Sequence, residues 1–174
     1  MVLRSVNPAT GEELERFEET PAKEVDAALT AAEDAFRDWR RASFADRAER
    51  MHAVADVLRR QCRRYAKTMA LEMGKPVRDG VGEAEKCAWA CEYYADHAAE
   101  FLADEPIATD AKKSLVRYEP LGPVLAVMPW NFPFWQVFRF AAPALAAGNA
   151  AIVKHSANTT GCALRIEQLL REAG

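Results

Sequence analysis

The stretch that decides the fold is YEPLGPVLAVMPWNFPF, residues 118–134. Its centre, residues 123–128, is a continuous apolar run bounded by prolines, which is typical of a strand buried on both faces. The next stretch, residues 134–147, predicts an apolar helix that ends at a Gly-Asn pair. The segment therefore predicts a strand that leads directly into a helix.

The same pattern repeats further along the chain. Residues 150–154 predict a second buried strand, and Asn158 is the predicted cap of a last helix that closes at Gly174. This order implies parallel strands with a right-handed crossover, as in half of a doubly wound nucleotide-binding sheet. Upstream, the alternation in residues 113–118 predicts a further strand.

The first hundred residues are predicted to be mainly helical after a short strand pair in residues 1–20. Thr20 followed by Pro21 predicts an N-cap with proline in the first turn of a helix over residues 21–40. Ser43 and Asp46 resemble a capping box, and the helix that they open is predicted to continue until Gly74.

A third apolar stripe, residues 81–101, predicts one more helix before the proline at 106. Together these patterns predict an α/β fold in which three N-terminal helices pack on a small parallel sheet. The strand at residues 150–154 is expected to have a free edge, which favours association or poor solubility.

Composition and charge exclude several classes of protein. The chain has 174 residues, of which 50% are hydrophobic, so it can bury a core of its own. The formal net charge of −3 favours neither nucleic acid nor a membrane surface as a partner. No window approaches the roughly 20 apolar residues of a membrane span. We therefore expect a soluble protein, and the cysteine usage described next favours the cytoplasm.

The four cysteines are predicted to be packing residues that bind no metal: Cys62, Cys87, Cys91 and Cys162. Cys87 and Cys91 are spaced four residues apart on one helical face, and His97 is nearby. The alternative is therefore that these residues bind a metal. A structural site needs four ligands in recognisable pairs, and the second half of such a site is missing from the sequence. A reducing compartment suits these cysteines best.

Asn131 is the best catalytic candidate because it follows the carboxyl end of a buried strand, where open α/β sheets bind ligands. Its side-chain N–H can donate to a developing alkoxide, and one such donor is typically worth about 2.7–4 kcal/mol of transition-state stabilisation. The alternative, which local pattern alone favours, is that Asn131 only caps the following helix.

Four separated strings, taken together and in this order, resemble the aldehyde dehydrogenase family. They are NPATGE at 7–12, EMGKP at 72–76, EPLG followed by PWNFP at 119–133, and LAAGNAAIVKH at 145–155. The resemblance implies a partial Rossmann-like cofactor-binding domain of the aldehyde dehydrogenase fold, made of residues 1–101 and 121–174. Residues 102–120 resemble the oligomerisation arm of that family, which implies a homo-oligomer when the enzyme is complete.

The resemblance also implies roles for individual residues. Asn131 matches the asparagine that stabilises the oxyanion and also belongs to the implied cofactor-binding set, in which Met128, Pro129 and Trp130 match backbone contacts to the cofactor. Lys154 matches the lysine that binds the adenosine ribose. The alternative for Lys154 is an ordinary lysine whose amine reaches solvent.

The cofactor positions continue through His155, Ser156 and Ala157, where this chain departs from the family's more usual string of lysine, proline, small residue and glutamate. A glutamate at position 157 would bind both ribose hydroxyls and repel a 2′-phosphate. Without this glutamate the site can bind NADP but is not restricted to it, so the expected cofactor is NAD or NADP.

Arg139 matches a position where succinate-semialdehyde members of the family carry arginine, and its guanidinium could clamp the distal carboxylate of the substrate. The alternative is a surface arginine. The substrate that the resemblance implies is therefore an aldehyde, with succinate semialdehyde favoured.

The family's nucleophilic cysteine and its glutamate base lie far downstream of the matching asparagine. No cysteine in this chain matches that nucleophile, so the catalytic domain is expected to be absent and residues 1–174 alone are expected to be inactive. The alternative is a non-catalytic module or subunit that pairs with a separate catalytic chain.

Overall fold

The computed structural model describes residues 2–174. In chain order its elements are β1 (Val2–Val6), β2 (Glu13–Glu18), α1 (Ala22–Trp39), α2 (Phe44–Arg60), α3 (Cys62–Met73), α4 (Val77–Phe101), β3 (Glu105–Pro106), β4 (Leu115–Val116), β5 (Pro123–Val127), α5 (Trp135–Ala146), β6 (Ala150–Lys154) and α6 (Thr160–Ala173). A 3-10 turn at Ala157–Thr159 leads into α6.

The predicted strand, helix, strand, helix order is confirmed in residues 123–173, and β5 pairs with β6 in parallel. The register sets Pro123 opposite Ala150 and Val127 opposite Lys154. The α1 and α5 helices both contact β6, and α1 also contacts β5. The predicted α/β class, with N-terminal helices on a small parallel sheet, is therefore confirmed.

The main core lies where α2, α3 and α4 pack against one another and against α5 and α6. Fully burying a large apolar side chain contributes about 1.5–3 kcal/mol, so the core derives most of its stability from its largest members. Tyr65 on α3 and Phe134, just before α5, place their ring centroids 5.0 Å apart. The largest fully buried side chains also include Phe138, Leu58 and Met69.

The second predicted helix is in fact two helices, because the chain leaves helical geometry at Gln61. Gln61 has φ −109° and ψ 11°, and its carbonyl accepts the amides that open α3. A single interrupting residue leaves the apolar stripe almost in phase, so the period could not reveal it. Gly74 ends α3 as predicted, with a left-handed φ of +75°.

The capping box at the start of α2 is confirmed: the Ser43 hydroxyl accepts the Asp46 amide, and the Asp46 carboxylate accepts the Ser43 amide. The Ser43 hydroxyl also donates to Asp46 Oδ2 at 2.7 Å, and this bond, together with the one from the Ser43 amide, lowers the pKa of Asp46. The prediction of Thr20 as N-cap of α1 is wrong, because Pro21 occupies that position and no side chain caps the helix. The Pro21 carbonyl accepts the amides of Glu24 and Val25.

The prediction that Asn158 caps the last helix is also wrong. Asn158 lies within the 3-10 turn and accepts a hydrogen bond from Ser156 Oγ, while Thr159 stands at the N-cap of α6 without a capping side chain. The α6 amides are satisfied by a carboxylate from another helix, and a local sequence pattern cannot indicate such a partner.

Two short antiparallel pairs complete the fold. The predicted pair in the first 20 residues is confirmed as β1 with β2. The predicted strand over residues 113–118 is shorter than expected and pairs with β3, a strand that the sequence did not predict.

The prediction that β5 is buried on both faces is wrong within residues 2–174, because Leu125 is 65% and Val127 is 68% exposed. These two residues are two apart and so share one face of the strand. Within residues 2–174, no helix combines the length and apolar character needed to cross a bilayer.

Candidate functional site

The carboxyl ends of β5 and β6 bring most of the predicted site residues to one edge. The Met128 amide donates to the Lys154 carbonyl at 2.9 Å, one residue beyond the paired strands. Residues 128–133 and 155–159 therefore leave the sheet side by side, as two turns that we call the asparagine turn and the histidine turn. This is the edge at which open α/β sheets bind ligands.

The polar groups at this edge are accessible. Asn131 and Lys154 are both exposed, and neither side chain makes a hydrogen bond or ion pair within residues 2–174. Trp130 is 50% exposed, and Pro129 and Ala157 are exposed as well. An amide donor, a cation and an aromatic face are thus available to a ligand.

Asn131 does not cap the following helix, so that alternative is wrong. The α5 helix begins at Trp135 with Phe134 at its N-cap, and the amides of both residues donate to Glu83 Oε1 at 2.9 Å. Because Glu83 satisfies these amides, the Asn131 side chain is left without a hydrogen-bond partner.

Glu83 and Lys75 form a buried ion pair beneath the asparagine turn. The side chain of Glu83 is 2% exposed and that of Lys75 is 9% exposed. The Lys75 ammonium also lies 3.9 Å from the centroid of the Phe132 ring, which is within range for a cation–π contact. The turn is therefore held through Phe132 as well as through the start of α5.

Glu72 plays the corresponding part for α6. Its two carboxylate oxygens accept the amides of Gly161 at 2.8 Å and Cys162 at 2.7 Å, and Oε1 also accepts the Ser5 hydroxyl at 2.8 Å. Carboxylates are favoured at helix N-termini by the unpaired amides and by the helix dipole. Both helices that follow the parallel strands thus start on a buried glutamate.

The sequence did not predict these roles of Glu72, Lys75 and Glu83. Glu72 and Lys75 belong to the EMGKP string, but a resemblance between strings does not indicate which groups they contact. The available signal was Glu83 itself, a carboxylate on the apolar face of α4 directly beside Ala84, both of which are buried. A buried carboxylate requires donors, and the following helix start supplies them.

The histidine turn is tied to the asparagine turn by its first side chain. His155 Nε2 lies 2.9 Å from the Pro133 carbonyl, and Nδ1 accepts the Ser156 amide at 2.9 Å. The hydroxyl of Thr159, a fully buried residue, lies 3.0 Å from the same Nδ1.

Arg139 lies on the exposed side of α5, away from the core residues Val137 and Phe138. It makes no ion pair or hydrogen bond with any residue from 2 to 174. Arg139 lies eight residues after Asn131, in the second turn of the helix that follows the asparagine turn. One turn earlier on α5, Trp135 is covered by the Lys86 ammonium at 4.0 Å from the ring centroid.

Comparison with known proteins now decides the family. The model of the aldehyde dehydrogenase family matches residues 1–174. The chain belongs to the aldehyde dehydrogenase family. It corresponds to the N-terminal part of the dehydrogenase fold and spans 36–39% of the length of the relatives described next.

Three relatives illustrate the match. The succinate-semialdehyde dehydrogenase (NADP+) of Mycobacterium leprae is 46% identical over 177 residues, which cover 100% of this chain and 39% of that protein. The structure of succinic semialdehyde dehydrogenase from Streptococcus pyogenes with NADP+ is 35% identical, with a TM-score of 0.94 over 99% of this chain and 38% of that one. The structure of PnpE with nicotinamide adenine dinucleotide is 31% identical, with a TM-score of 0.93 over 100% and 36% of the two chains.

The cysteines of this dehydrogenase chain lie away from the candidate site's exposed groups. Cys87, Cys91 and Cys162 are fully buried, and Cys62 is partly buried. Burial raises the pKa of Cys91 to about 12 and holds the pKa values of Cys87 and Cys162 well above the usual thiol range. Within residues 2–174, no three His, Cys, Asp or Glu side chains are grouped as metal ligands.

These thiols are expected to react slowly with alkylating reagents in the folded chain. Thiolate is the reactive form, and a raised pKa leaves very little of it at neutral pH. Mass spectrometry after iodoacetamide treatment should find Cys62 modified first, with Cys87, Cys91 and Cys162 modified only in denaturant. Rapid native labelling of a buried cysteine would contradict this account.

Loss of the Glu83 carboxylate is expected to destabilise the chain strongly. Glu83→Ala leaves Lys75 buried without a partner and two α5 amides unsatisfied, and breaking a buried pair costs about 3–5 kcal/mol in the free energy of unfolding. Urea denaturation measures this change.

The matched control is Glu85→Ala, an exposed position on the same helix, which should change the free energy of unfolding by no more than about 0.5 kcal/mol. Glu83→Gln keeps an acceptor for the α5 amides but removes the charge, so its loss should fall between the other two. Equal losses for Glu83→Ala and Glu85→Ala would contradict the assigned role.

Proposed function

We propose that residues 1–174 form the N-terminal, cofactor-binding part of an NAD(P)-dependent enzyme that oxidises succinate semialdehyde to the carboxylic acid. The observation that carries this proposal is the unoccupied Asn131 amide at the carboxyl edge of β5 and β6. The 46% identical relative that bears the name of this activity supports the choice of substrate.

A nicotinamide cofactor fits the residues at this edge. Trp130 presents a half-exposed indole, and Lys154 presents an ammonium without an internal partner, which suits a ribose or phosphate oxygen. Ala157 is exposed and carries no carboxylate, so nothing at this position repels a 2′-phosphate. We therefore propose that the site accepts both NAD and NADP, with Met128, Pro129, His155 and Ser156 completing it.

In this proposal, the cofactor when bound supplies a hydride acceptor, and Asn131 stabilises charge on the substrate oxygen. A side-chain N–H that is fixed in place before reaction stabilises a developing oxyanion more strongly than water does. The fixed placement of the turn by Glu83 and Lys75 provides this advantage. Asn131 thus acts as a donor and does not exchange a proton.

Arg139 is proposed to bind the distal carboxylate of the substrate. It is a cation without an internal partner on the helix that begins after Asn131. A planar guanidinium can hold a carboxylate through two parallel hydrogen bonds. The Lys86 ammonium over Trp135 adds positive charge on the same side of α5.

Residues 102–120 are proposed to serve as an oligomerisation arm. This segment forms the small β3–β4 pair, is mostly exposed, and is braced by Arg117 on Asp104 and by Tyr118 on Glu105. We further propose that residues 1–174 alone do not oxidise aldehydes, since oxyanion stabilisation has no effect without a nucleophile. Four free thiols suit the reducing cytoplasm.

Removing the Asn131 donor is expected to lower kcat by about 10²–10³-fold. The assay uses the polypeptide at the length at which its source cells produce it. Asn131→Ala removes the side-chain N–H, and Asn131→Asp keeps the shape while replacing the donor with a carboxylate. Both variants should show the same loss of kcat in a steady-state assay of NADP reduction with succinate semialdehyde.

Unchanged binding of NADP in both variants, measured by fluorescence quenching, would separate the oxyanion role from cofactor binding. A fully active Asn131→Asp variant would overturn the proposed role. If the unaltered polypeptide is inactive and has a mass near 19.3 kDa, the alternative of a non-catalytic module is favoured.

Arg139→Gln is expected to raise KM for succinate semialdehyde by about 10–100-fold, the range for loss of one hydrogen bond to a charged group. KM for an uncharged alkyl aldehyde should stay unchanged, since that substrate has no distal carboxylate. The matched control is Arg37→Gln, an exposed arginine on α1. An equal rise in KM for both aldehydes would contradict the carboxylate contact.

A further inference from the structure

The hydrogen bonds of His155 define one protonation state of its ring. The Ser156 amide can only donate, so Nδ1 must present a lone pair. The Pro133 carbonyl can only accept, so Nε2 must carry a proton. The ring is therefore the neutral tautomer with hydrogen on Nε2, and the Thr159 hydroxyl provides a second donor to Nδ1.

The Nε2 bond is the only hydrogen bond within residues 2–174 that joins residues 129–133 to the histidine turn. The asparagine turn is held at its start by the backbone bond from Met128 to Lys154 and at its end by His155 on Pro133. Asn131 lies between these two attachments. The bond from His155 thus limits how far Asn131 can shift relative to the cofactor-side residues Lys154, Ser156 and Ala157.

We propose that His155 is a positioning residue, whose Nε2–H tautomer latches the asparagine turn to the histidine turn and so fixes Asn131 relative to the cofactor. This inference rests on the proposed function for the role of Asn131. The latch itself is a property of the folded chain and can be tested without activity.

Nitrogen-15 NMR of the 174-residue chain tests the tautomer directly. Long-range proton–nitrogen correlations should give His155 a protonated Nε2 and an unprotonated Nδ1 at neutral pH. The exposed His52 provides an internal comparison, because its ring contacts only the surface carboxylate of Asp96. A His155 ring protonated on Nδ1, whether neutral or cationic, would overturn the proposal.

Two variants separate the halves of the latch. The amide of His155→Asn can reproduce the Nδ1 acceptor but cannot reach Pro133, whereas the longer His155→Gln places an N–H donor near the Nε2 position. Amide exchange at Met128 and Phe134 should therefore accelerate in His155→Asn, return toward the parent rate in His155→Gln, and stay unchanged in His52→Asn. Equal exchange in all three variants would overturn the latch.

The functional half is measured in the polypeptide as its source cells make it. His155→Asn should lower kcat about five- to tenfold, the effect of one hydrogen bond, with KM for the aldehyde nearly unchanged. His155→Gln should recover at least half of the lost activity. A kcat unaffected by His155→Asn, with activity abolished in Asn131→Ala, would reject the positioning role and retain the proposed function.

The reverse pattern is also decisive. If Asn131→Ala retains full activity while His155→Asn accelerates exchange at Met128 and Phe134, the proposed function fails and the latch stands as a structural tie.

Discussion

The buried carboxylate of Glu83 is the constraint on which the candidate site depends. It lies on α4 and accepts the first two amides of α5, while Lys75 neutralises it. Without it, the start of α5 would need a capping side chain from its own turn, and Asn131 is the nearby residue best suited to that task. The long-range cap therefore makes an amide donor available for chemistry.

Much of the fold followed from the sequence because its signals are local. The spacing of apolar residues predicts the helices and the parallel strands. Capping residues close together in the chain predict the capping box at Ser43 and the helix end at Gly74. The failures at Thr20, Gln61 and Asn158 have separate causes. The N-cap of α1 is Pro21, one residue after Thr20, and the break at Gln61 leaves the apolar period almost in phase. At Asn158, the α6 amides are satisfied by Glu72, which lies outside the local pattern.

The candidate site was predictable only in part, because the groups that hold it are far apart in the chain. The strand ends placed Asn131 and Lys154 at one edge, because parallel strands share their carboxyl ends. Glu72 and Glu83 could not be placed, since their partners lie 89 and 51 residues away in the chain. His155 departs from the family's usual string, but no local pattern indicates that its ring bonds the Pro133 carbonyl 22 residues earlier.

The contact between Glu72 and Gly161 has a consequence for how the sequence can vary. A Cβ at position 161 would stand 2.7 Å from Glu72 Oε1, closer than such atoms approach in real proteins. Residue 161 can therefore gain a side chain only if the Glu72 carboxylate moves away from it, and that shift would weaken its hydrogen bonds to the α6 amides. The effects of mutations at positions 72 and 161 should thus be non-additive. An evolutionary path that changes both residues would pass through an intermediate in which the α6 amides lack a well-placed acceptor.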